Sequence, residues 1–334
     1  MAGMTTANTD ALIRSEIWSS QLKDVLTDEL MAKKFVRWIT EFNDGNQFTI
    51  PSIGTLDAHD YVEDQPVTYQ AMDTGEFNFT INNYLHSGTY ITQKAKQDLF
   101  YMNELVSSFV PKQARAIDER VEYDIFREGQ PRTGNPAGYQ VAGNQNLING
   151  AAHRWVGSST VSTKRTLGVE DFAKAVYSLK KANVPQSNLI AIVDPSVEYI
   201  LNTLTNITNV SNNPQWQGII ETGLGRDMRF IRNIYGFDVY TSNRLPLSGA
   251  NQTGAVETIG GVASTGSSVA NLFFSANSDI LPWIGAWRQM PKVDGEWNKD
   301  FQRDEFVTTA RYGVKIYRPE NLITVLSDPS VVTF

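Results

Sequence analysis

The side chains best suited to acid–base or metal chemistry are the three histidines, His59, His86 and His153. Imidazole changes charge near neutral pH and binds transition metals, but a local metal site needs ligands a few residues apart. These histidines are far apart, and His59 is expected to be an exposed loop residue. The chain also lacks a phosphate-binding glycine loop, a dinucleotide-binding glycine triplet and a G-x-S-x-G turn. The sequence therefore predicts no cofactor and no metal.

Carboxylate pairs can serve as acid and base, and one predicted helix carries several acids close together. They are Asp118, Glu119, Glu122 and Asp124. The same helix carries Arg115, Arg120 and Arg127, and opposite charges three or four residues apart pair on a helix surface. A salt-bridged face is therefore favoured over a catalytic pair. Catalytic residues that converge from distant parts of the chain remain an alternative, because such sites are defined by geometry.

The stretch from Glu41 to Gln93 contains eight acidic residues and no lysine or arginine. A solvated acidic face is the usual explanation, and a ribbon that docks onto a basic surface of another subunit is the sharper one. The acidic interface candidates are Asp57, Asp60, Glu63, Asp64, Asp73 and Glu76. The basic candidates are Lys112, Arg115, Arg120, Arg127 and Arg132. Trp216 joins them, because large aromatic residues anchor buried interfaces.

The composition excludes several classes of protein. With 334 residues, of which 41% are hydrophobic, the chain can bury a sizeable core in two lobes or one elaborate domain. The absence of cysteine excludes disulfides and thiolate metal sites. A net charge of -7 disfavours a protein built mainly to bind phosphates. No apolar run approaches the length of a membrane span and no signal peptide is recognisable, so we expect no membrane contact.

The N-terminal half is expected to contain two helical segments separated by a hairpin. Apolar residues recur at helical spacing over residues 10–42, which predicts an amphipathic N-terminal helix. Residues 48–51 and 77–81 alternate apolar and polar side chains, as the strands of an antiparallel hairpin do. Residues 94–128 predict a long helix that kinks or restarts at Pro111 and ends at Gly129.

The C-terminal half predicts a small lobe of the α/β or α+β type, and the fold class expected for the chain is α+β. Residues 169–182 predict a helix and 189–193 a buried strand, after which Asp194 and Pro195 begin another helix. Further strands are predicted at 155–156, 237–240, 272–275, 283–290 and 307–317. Residues 247–268 are low in charge and rich in glycine and serine, which predicts a surface insertion or mobile loop.

In this order, the parts resemble the major capsid proteins of tailed bacteriophages with the HK97 fold. FTIPSIG at residues 48–54 and FNFTI at 77–81 resemble the two strands of the extended E-loop of that family, and residues 94–128 resemble its spine helix. Residues 169–195, 235–246 and 310–320 resemble the start of the axial domain, a later strand and the closing strand. The resemblance divides the chain into an N-terminal arm (1–43), an E-loop (44–93), a peripheral domain with the spine helix (94–165), an axial domain (166–300) and return strands (301–334).

The resemblance implies a coat protein that assembles as hexamers and pentamers into an icosahedral shell around double-stranded DNA, without sequence-specific DNA binding. Assembly is expected in the host bacterial cytoplasm, with a portal, an optional decoration protein and a scaffolding protein that is separate because the chain starts almost at the arm. Some members cross-link subunits through an E-loop lysine; no lysine lies between Asn43 and Gln93, so no such bond is expected. The alternatives are a tail tube or decoration protein and, from another class, a cytoplasmic enzyme with dispersed catalytic residues.

Overall fold

The described residues form four helices and eighteen strands. The computed structural model describes residues 30–40, 45, 47–54, 58–60, 63, 64, 66, 69, 74–98, 102–131, 141–203 and 230–332. The helices are α1 (Gln93–Asp98), α2 (Met102–Arg127), α3 (Val169–Lys181) and α4 (Pro195–Thr203). The strands are β1 (Val36–Ile39), β2 (Gln47–Ile53), β3 (Thr74–Thr80), β4 (Asn83–Thr92), β5 (Leu147–Ile148), β6 (Ala151–Ala152), β7 (Arg154–Val156), β8 (Ser159–Val161), β9 (Lys164–Thr166), β10 (Leu189–Val193), β11 (Phe230–Ile234), β12 (Phe237–Thr241), β13 (Thr258–Ile259), β14 (Val262–Ala263), β15 (Val269–Ser275), β16 (Trp283–Asn298), β17 (Arg303–Ile316) and β18 (Ile323–Ser327).

A six-stranded mixed sheet with the order β11-β12-β10-β15-β18-β7 forms the centre of the C-terminal lobe. Its side chains alternate between two apolar clusters, as the period of a strand requires. Leu189, Ala191 and Val193 of β10 belong to the cluster that α3 and α4 cover. Ile192 belongs to a second cluster on the opposite face, which contains Ile125 of α2. The sheet is therefore buried on both faces, and the predicted α+β fold is confirmed.

A four-stranded sheet with the order β1-β16-β17-β4 carries α2. Gln113 Nε2 donates to the carbonyl oxygen of Phe306 at 3.0 Å, and Thr308 Oγ1 donates to Gln113 Oε1 at 2.8 Å. About three helical turns further on, the hydroxyl of Tyr312 donates to Asp124 at 2.7 Å. Burial and the adjacent charge of Asp124 raise the pKa of Tyr312, so the hydroxyl stays protonated. These buried hydrogen bonds fix the position of α2 along β17.

The helix predicted for residues 10–42 is wrong within the described range. Residues 32–35 form a 3₁₀ turn, and β1 pairs in parallel with β16 from Trp283 to Ala286. The close approach depends on Gly285, because a Cβ there would meet the Trp38 ring at 2.7 Å. Residues 10–29 lie outside the described residues. Pairing with a strand distant in sequence has overridden the helical spacing of the arm.

The helical and strand predictions for the remaining elements are largely confirmed. The predicted hairpin corresponds to β2 and β3, and the predicted helix–strand–helix unit to α3, β10 and α4. Asp194 caps α4, since its Oδ2 accepts the backbone N–H of Ser196 at 2.9 Å. The long helix is described as two elements, α1 and α2, with residues 99–101 outside the described residues, and α2 continues through Pro111 to Arg127 without a restart.

The segment 247–268 lies at the surface, as its composition predicts, but several buried side chains anchor it. Glu257 is 5% exposed, and Ile259, Ser264 and Ser268 are also buried. Glu257 forms an ion pair with Arg154, which is fully buried. Burial alone would raise the pKa of Glu257, but the hydrogen bonds and charge of Arg154 outweigh burial and lower it. A charge pair between residues distant in sequence therefore holds this segment against β7.

We expect Glu257→Gln to destabilise the subunit by about 3 kcal/mol, because it leaves the Arg154 guanidinium buried without its counter-charge. The double variant Arg154→Met/Glu257→Met should lose less stability than this single variant, since it removes both charges. Urea denaturation of the subunit, followed by circular dichroism, measures the free energy of unfolding of the single and the double variant. A double variant as unstable as the sum of two single losses would contradict the role of the pair.

The stability of the subunit should also decrease as the pH falls below about 6.5, the ordinary pKa of histidine. His153 is fully buried, with Nδ1 3.1 Å from the carbonyl oxygen of Ala151, and burial lowers its pKa. Below that pH the unfolded chain binds a proton at this histidine and the folded chain does not. The free energy of unfolding therefore decreases as the pH falls towards the folded-state pKa. His153→Gln should flatten the dependence of unfolding free energy on pH between 7 and about 5. His59→Gln, at an exposed site, is the control.

Candidate subunit interface

The hairpin of β2 and β3 presents the acidic stretch at the surface. Its register runs from Gln47 opposite Thr80 to Ile53 opposite Thr74. Phe79 is fully buried at the base of the hairpin, in an apolar cluster with Ile284 of β16. Beyond that base the described residues are mostly exposed. The hairpin is thus anchored to the four-stranded sheet at one end and projects from it.

Four of the six acidic candidates lie within the described residues, and all four are exposed. Glu76 lies in β3, and Asp60, Glu63 and Asp64 lie in the connection between β2 and β3. Asp64 has φ 64°, the left-handed conformation that aspartate tolerates in turns. The remaining two, Asp57 and Asp73, are outside the described residues. The solvated acidic face expected from the sequence is present in the described part of this connection.

The basic candidates divide according to their exposure. Arg115 Nε lies 3.0 Å from Glu119 and is half-buried. Arg127 is half-buried as well. Lys112 and Arg120 are exposed, and Arg120 Nε lies 3.3 Å from Asp124. Arg132 and Trp216 are outside the described residues.

The acidic cluster on α2 forms the ion pairs expected of a salt-bridged face, with one exception. Asp118 pairs with Lys33, and Arg244 Nη2 also reaches Glu119 at 3.0 Å. Glu122 is instead fully buried, and its Oε2 accepts the backbone N–H groups of Met31 at 2.7 Å and of Ala32 at 3.2 Å. Glu122 therefore attaches the end of the arm to α2. No local sequence pattern marks this role, since the partners are ninety residues away.

The histidines do not meet one another or a metal-binding cluster. His59 and His86 are exposed, and His153 is buried. Within the described ranges, no group of three histidine or acidic side chains is arranged to hold a metal ion. Over the same ranges, no helix is both long and apolar enough to cross a bilayer.

The cavities of the described surface include one beside β7 and one beside β1. A cavity of about 460 Å³ is lined by Trp155, Arg165, Lys174 and Tyr177 among others. A second, of about 310 Å³, lies between β1 and β2. Neither lining contains a carboxylate or an imidazole, so neither cavity presents a general base of those kinds.

Sequence reasoning does not single out β4 as a surface feature. Tyr84 and Tyr90 are 61% and 58% exposed on one face of this strand. The signal for it is present in the sequence, because Tyr84, His86 and Tyr90 alternate with Leu85 and Ile91 in the period of a half-buried strand.

The chain resembles solved phage structures over nearly its whole length. A structure from Mycobacterium phage Che8 is 14% identical with a TM-score of 0.62, and covers 93% of this chain and 96% of that chain. The capsid of cyanophage P-SCSP1u is 14% identical with a TM-score of 0.67, covering 97% and 95%. The mature capsid of bacteriophage PhiM1 is 13% identical with a TM-score of 0.67, covering 96% and 94%. At these identities the likeness shows a shared fold.

A family model gives the stronger assignment. The model described as phage capsid protein matches residues 77–325, which include α2 and every strand from β4 to β17. No curated protein matches the chain significantly. The prediction of a phage major capsid protein is confirmed by the family match, and the chain belongs to the phage capsid protein family.

Proposed function

We propose that this capsid protein self-assembles, as hexamers and pentamers, into an icosahedral shell that encloses double-stranded DNA, and that it has no enzymatic activity. The match to the phage capsid family over residues 77–325 carries this proposal. In the HK97 terms suggested by the sequence, β2 and β3 correspond to the E-loop, α2 to the spine helix, and the six-stranded sheet with α3 and α4 to the axial domain. Assembly occurs in the host cytoplasm with separate scaffolding and portal proteins and an optional decoration protein.

The shell encloses the DNA without binding to a specific sequence. The net charge of -7 opposes strong binding to phosphates, so contacts with DNA are local. Identical surfaces that meet head to tail close into rings, which is the geometry that a shell of hexamers and pentamers needs. Negative-stain electron microscopy and sedimentation velocity of the purified protein, with and without scaffold, test the proposal. Rings, tubes or shells are expected; a persistent monomer with scaffold present would overturn it.

The projecting hairpin is the contact that orients neighbouring subunits. Exposed Asp60, Glu63 and Asp64 make one surface strongly negative, and exposed Lys112 and Arg120 lie on α2. Opposite potentials of this kind steer association and fix its register. The acidic hairpin of one copy therefore docks near α2 of the next, with half-buried Arg115 and Arg127 held on their own chain as support for that surface.

Charge reversal tests this docking. Lys112→Glu/Arg120→Glu should abolish shells and leave a folded subunit, because both side chains are exposed and reversal replaces attraction with repulsion. Lys180→Glu/Lys181→Glu, which changes the net charge equally at the exposed end of α3, is the matched control and should still assemble. Electron microscopy scores shells, and circular dichroism scores folding. Normal shells from the α2 variant would refute the docking.

Pro111 is the proposed point at which α2 bends when the shell expands. A proline inside a helix removes one backbone hydrogen bond and crowds the preceding turn. Pro111→Ala should strengthen the helix by up to about 3 kcal/mol and so make bending harder. Shells of this variant should expand more slowly or need a stronger trigger, as measured by particle diameter in cryo-electron microscopy. Expansion at the wild-type rate would contradict the role of Pro111.

A further inference from the structure

The sheet that carries α2 has two long strand edges without a partner among the described strands. Strand β1 covers β16 only from Trp283 to Ala286, so the edge of β16 beyond Trp287 is open. Strand β4 is the other edge, and no described strand pairs with its outer side. An open edge presents unpaired N–H and C=O groups and is a template for another strand.

The edge of β16 carries the devices that prevent such pairing. Pro291 removes a backbone donor, and Lys292, Asp294 and Glu296 place charges along the edge. The pairing of β16 with β17 is also irregular at two places, after Trp287 and after Gln289. Proline, charges and bulges are the means by which proteins keep edges from associating. The edge of β16 is therefore protected against pairing with another strand.

The edge of β4 carries none of these devices. Its ten residues, NYLHSGTYIT, include no proline, lysine, arginine or acid. Its register with β17 runs without interruption from Asn83 opposite Tyr312 to Thr92 opposite Arg303. The two described edges of this sheet therefore differ. The edge of β16 is protected against pairing with another strand, and the edge of β4 is able to accept one.

One hydrogen bond shows which backbone N–H and C=O groups of β4 point away from β17. Gln93 N–H donates to the carbonyl oxygen of Gln302 at 2.9 Å and continues the ladder of β4 with β17. In an antiparallel pair the residues that face the partner alternate, so the odd-numbered residues of β4 bond to β17. The backbone groups that face outward belong to Tyr84, His86, Gly88, Tyr90 and Thr92.

Four of these outward residues, Tyr84, His86, Gly88 and Tyr90, are arranged symmetrically about Ser87. If a second copy of β4 runs antiparallel with Ser87 opposite Ser87, Tyr84 of each copy lies opposite Tyr90 of the other, and His86 opposite Gly88. Both tyrosines are more than half exposed, and aromatic pairs directly across two strands are stabilising. The strand is thus complementary to itself, and it has no charge that would repel its own copy.

We propose that β4 pairs antiparallel with β4 of a second copy about a two-fold axis, in the register that places Ser87 opposite Ser87. The contact joins two four-stranded sheets into one eight-stranded sheet with the helices α2 on the same face. It satisfies the outward backbone groups of β4, and its affinity comes from main-chain hydrogen bonds, as in other strand additions. A two-fold contact joins copies in pairs, which differs from the head-to-tail contact that closes rings.

A single engineered thiol tests the register, because the chain has no cysteine of its own. In the proposed pair the Ser87 residues form a non-hydrogen-bonded pair with Cα atoms about 4.5 Å apart, within reach of a disulfide. Ser87→Cys should therefore form a disulfide-linked dimer on mild oxidation of assembled particles. Thr89→Cys is the matched control: it lies on the same face and is also half-buried, but its two copies would be about 13 Å apart. It should not cross-link.

The assembled fraction is isolated, inspected by electron microscopy, oxidised and run on a non-reducing gel. A dimer from Ser87→Cys alone supports the proposal. Intact particles without that dimer, or equal cross-linking of Thr89→Cys, overturn the pairing and leave the proposed shell untouched. Because the pairing rests on the proposed self-assembly, a chain that never assembles in either variant or in the wild type overturns both. Thermal melting confirms that the two variants are folded.

Discussion

The need to satisfy buried polar groups along α2 determines how the parts of this protein fit together. Gln113 accepts one hydrogen bond from β17 and donates another to it, and Asp124 accepts one from the same strand. Glu122 accepts hydrogen bonds from two backbone N–H groups at the end of the arm. A buried group without a partner costs about as much as a hydrogen bond contributes, and often more. Sliding the helix by one turn would break all of these bonds together, so α2 has a single position over the sheet.

That position has consequences for the arm and for the hairpin. Glu122 fixes Met31 and Ala32 beside α2, and the following β1 pairs with β16, with Val36 in the core and Trp38 in stacking contact with Trp287, 5.3 Å between ring centroids. The base of the hairpin packs against the same strand. The described end of the arm and the base of the hairpin therefore meet at β16.

The sequence is most informative where the residues that determine a helix or strand lie within that same element. Asp194 and Pro195 begin a helix through local capping, and the apolar spacing of α3 needs no distant partner to be recognised. It is least informative where the partner is remote. The strand conformation of residues 36–39 depends on Gly285, and the burial of Glu257 depends on Arg154, about a hundred residues away. The acidic and basic candidates are readable as charges, and the pairs of Arg115 with Glu119 and of Arg120 with Asp124 follow from helical spacing, whereas the proposed docking depends on a surface outside the single chain.

The ribbon of β16 and β17 is 16 and 14 residues long, and its hydrogen bonds lie across the strand direction. Tension applied along its length therefore loads the ladder in shear, and many bonds share the force at once. Tension that separates the two strands at the tip would break the same bonds one after another at much lower force. The resistance of the ribbon to tension is therefore directional, with its strong axis along the strands.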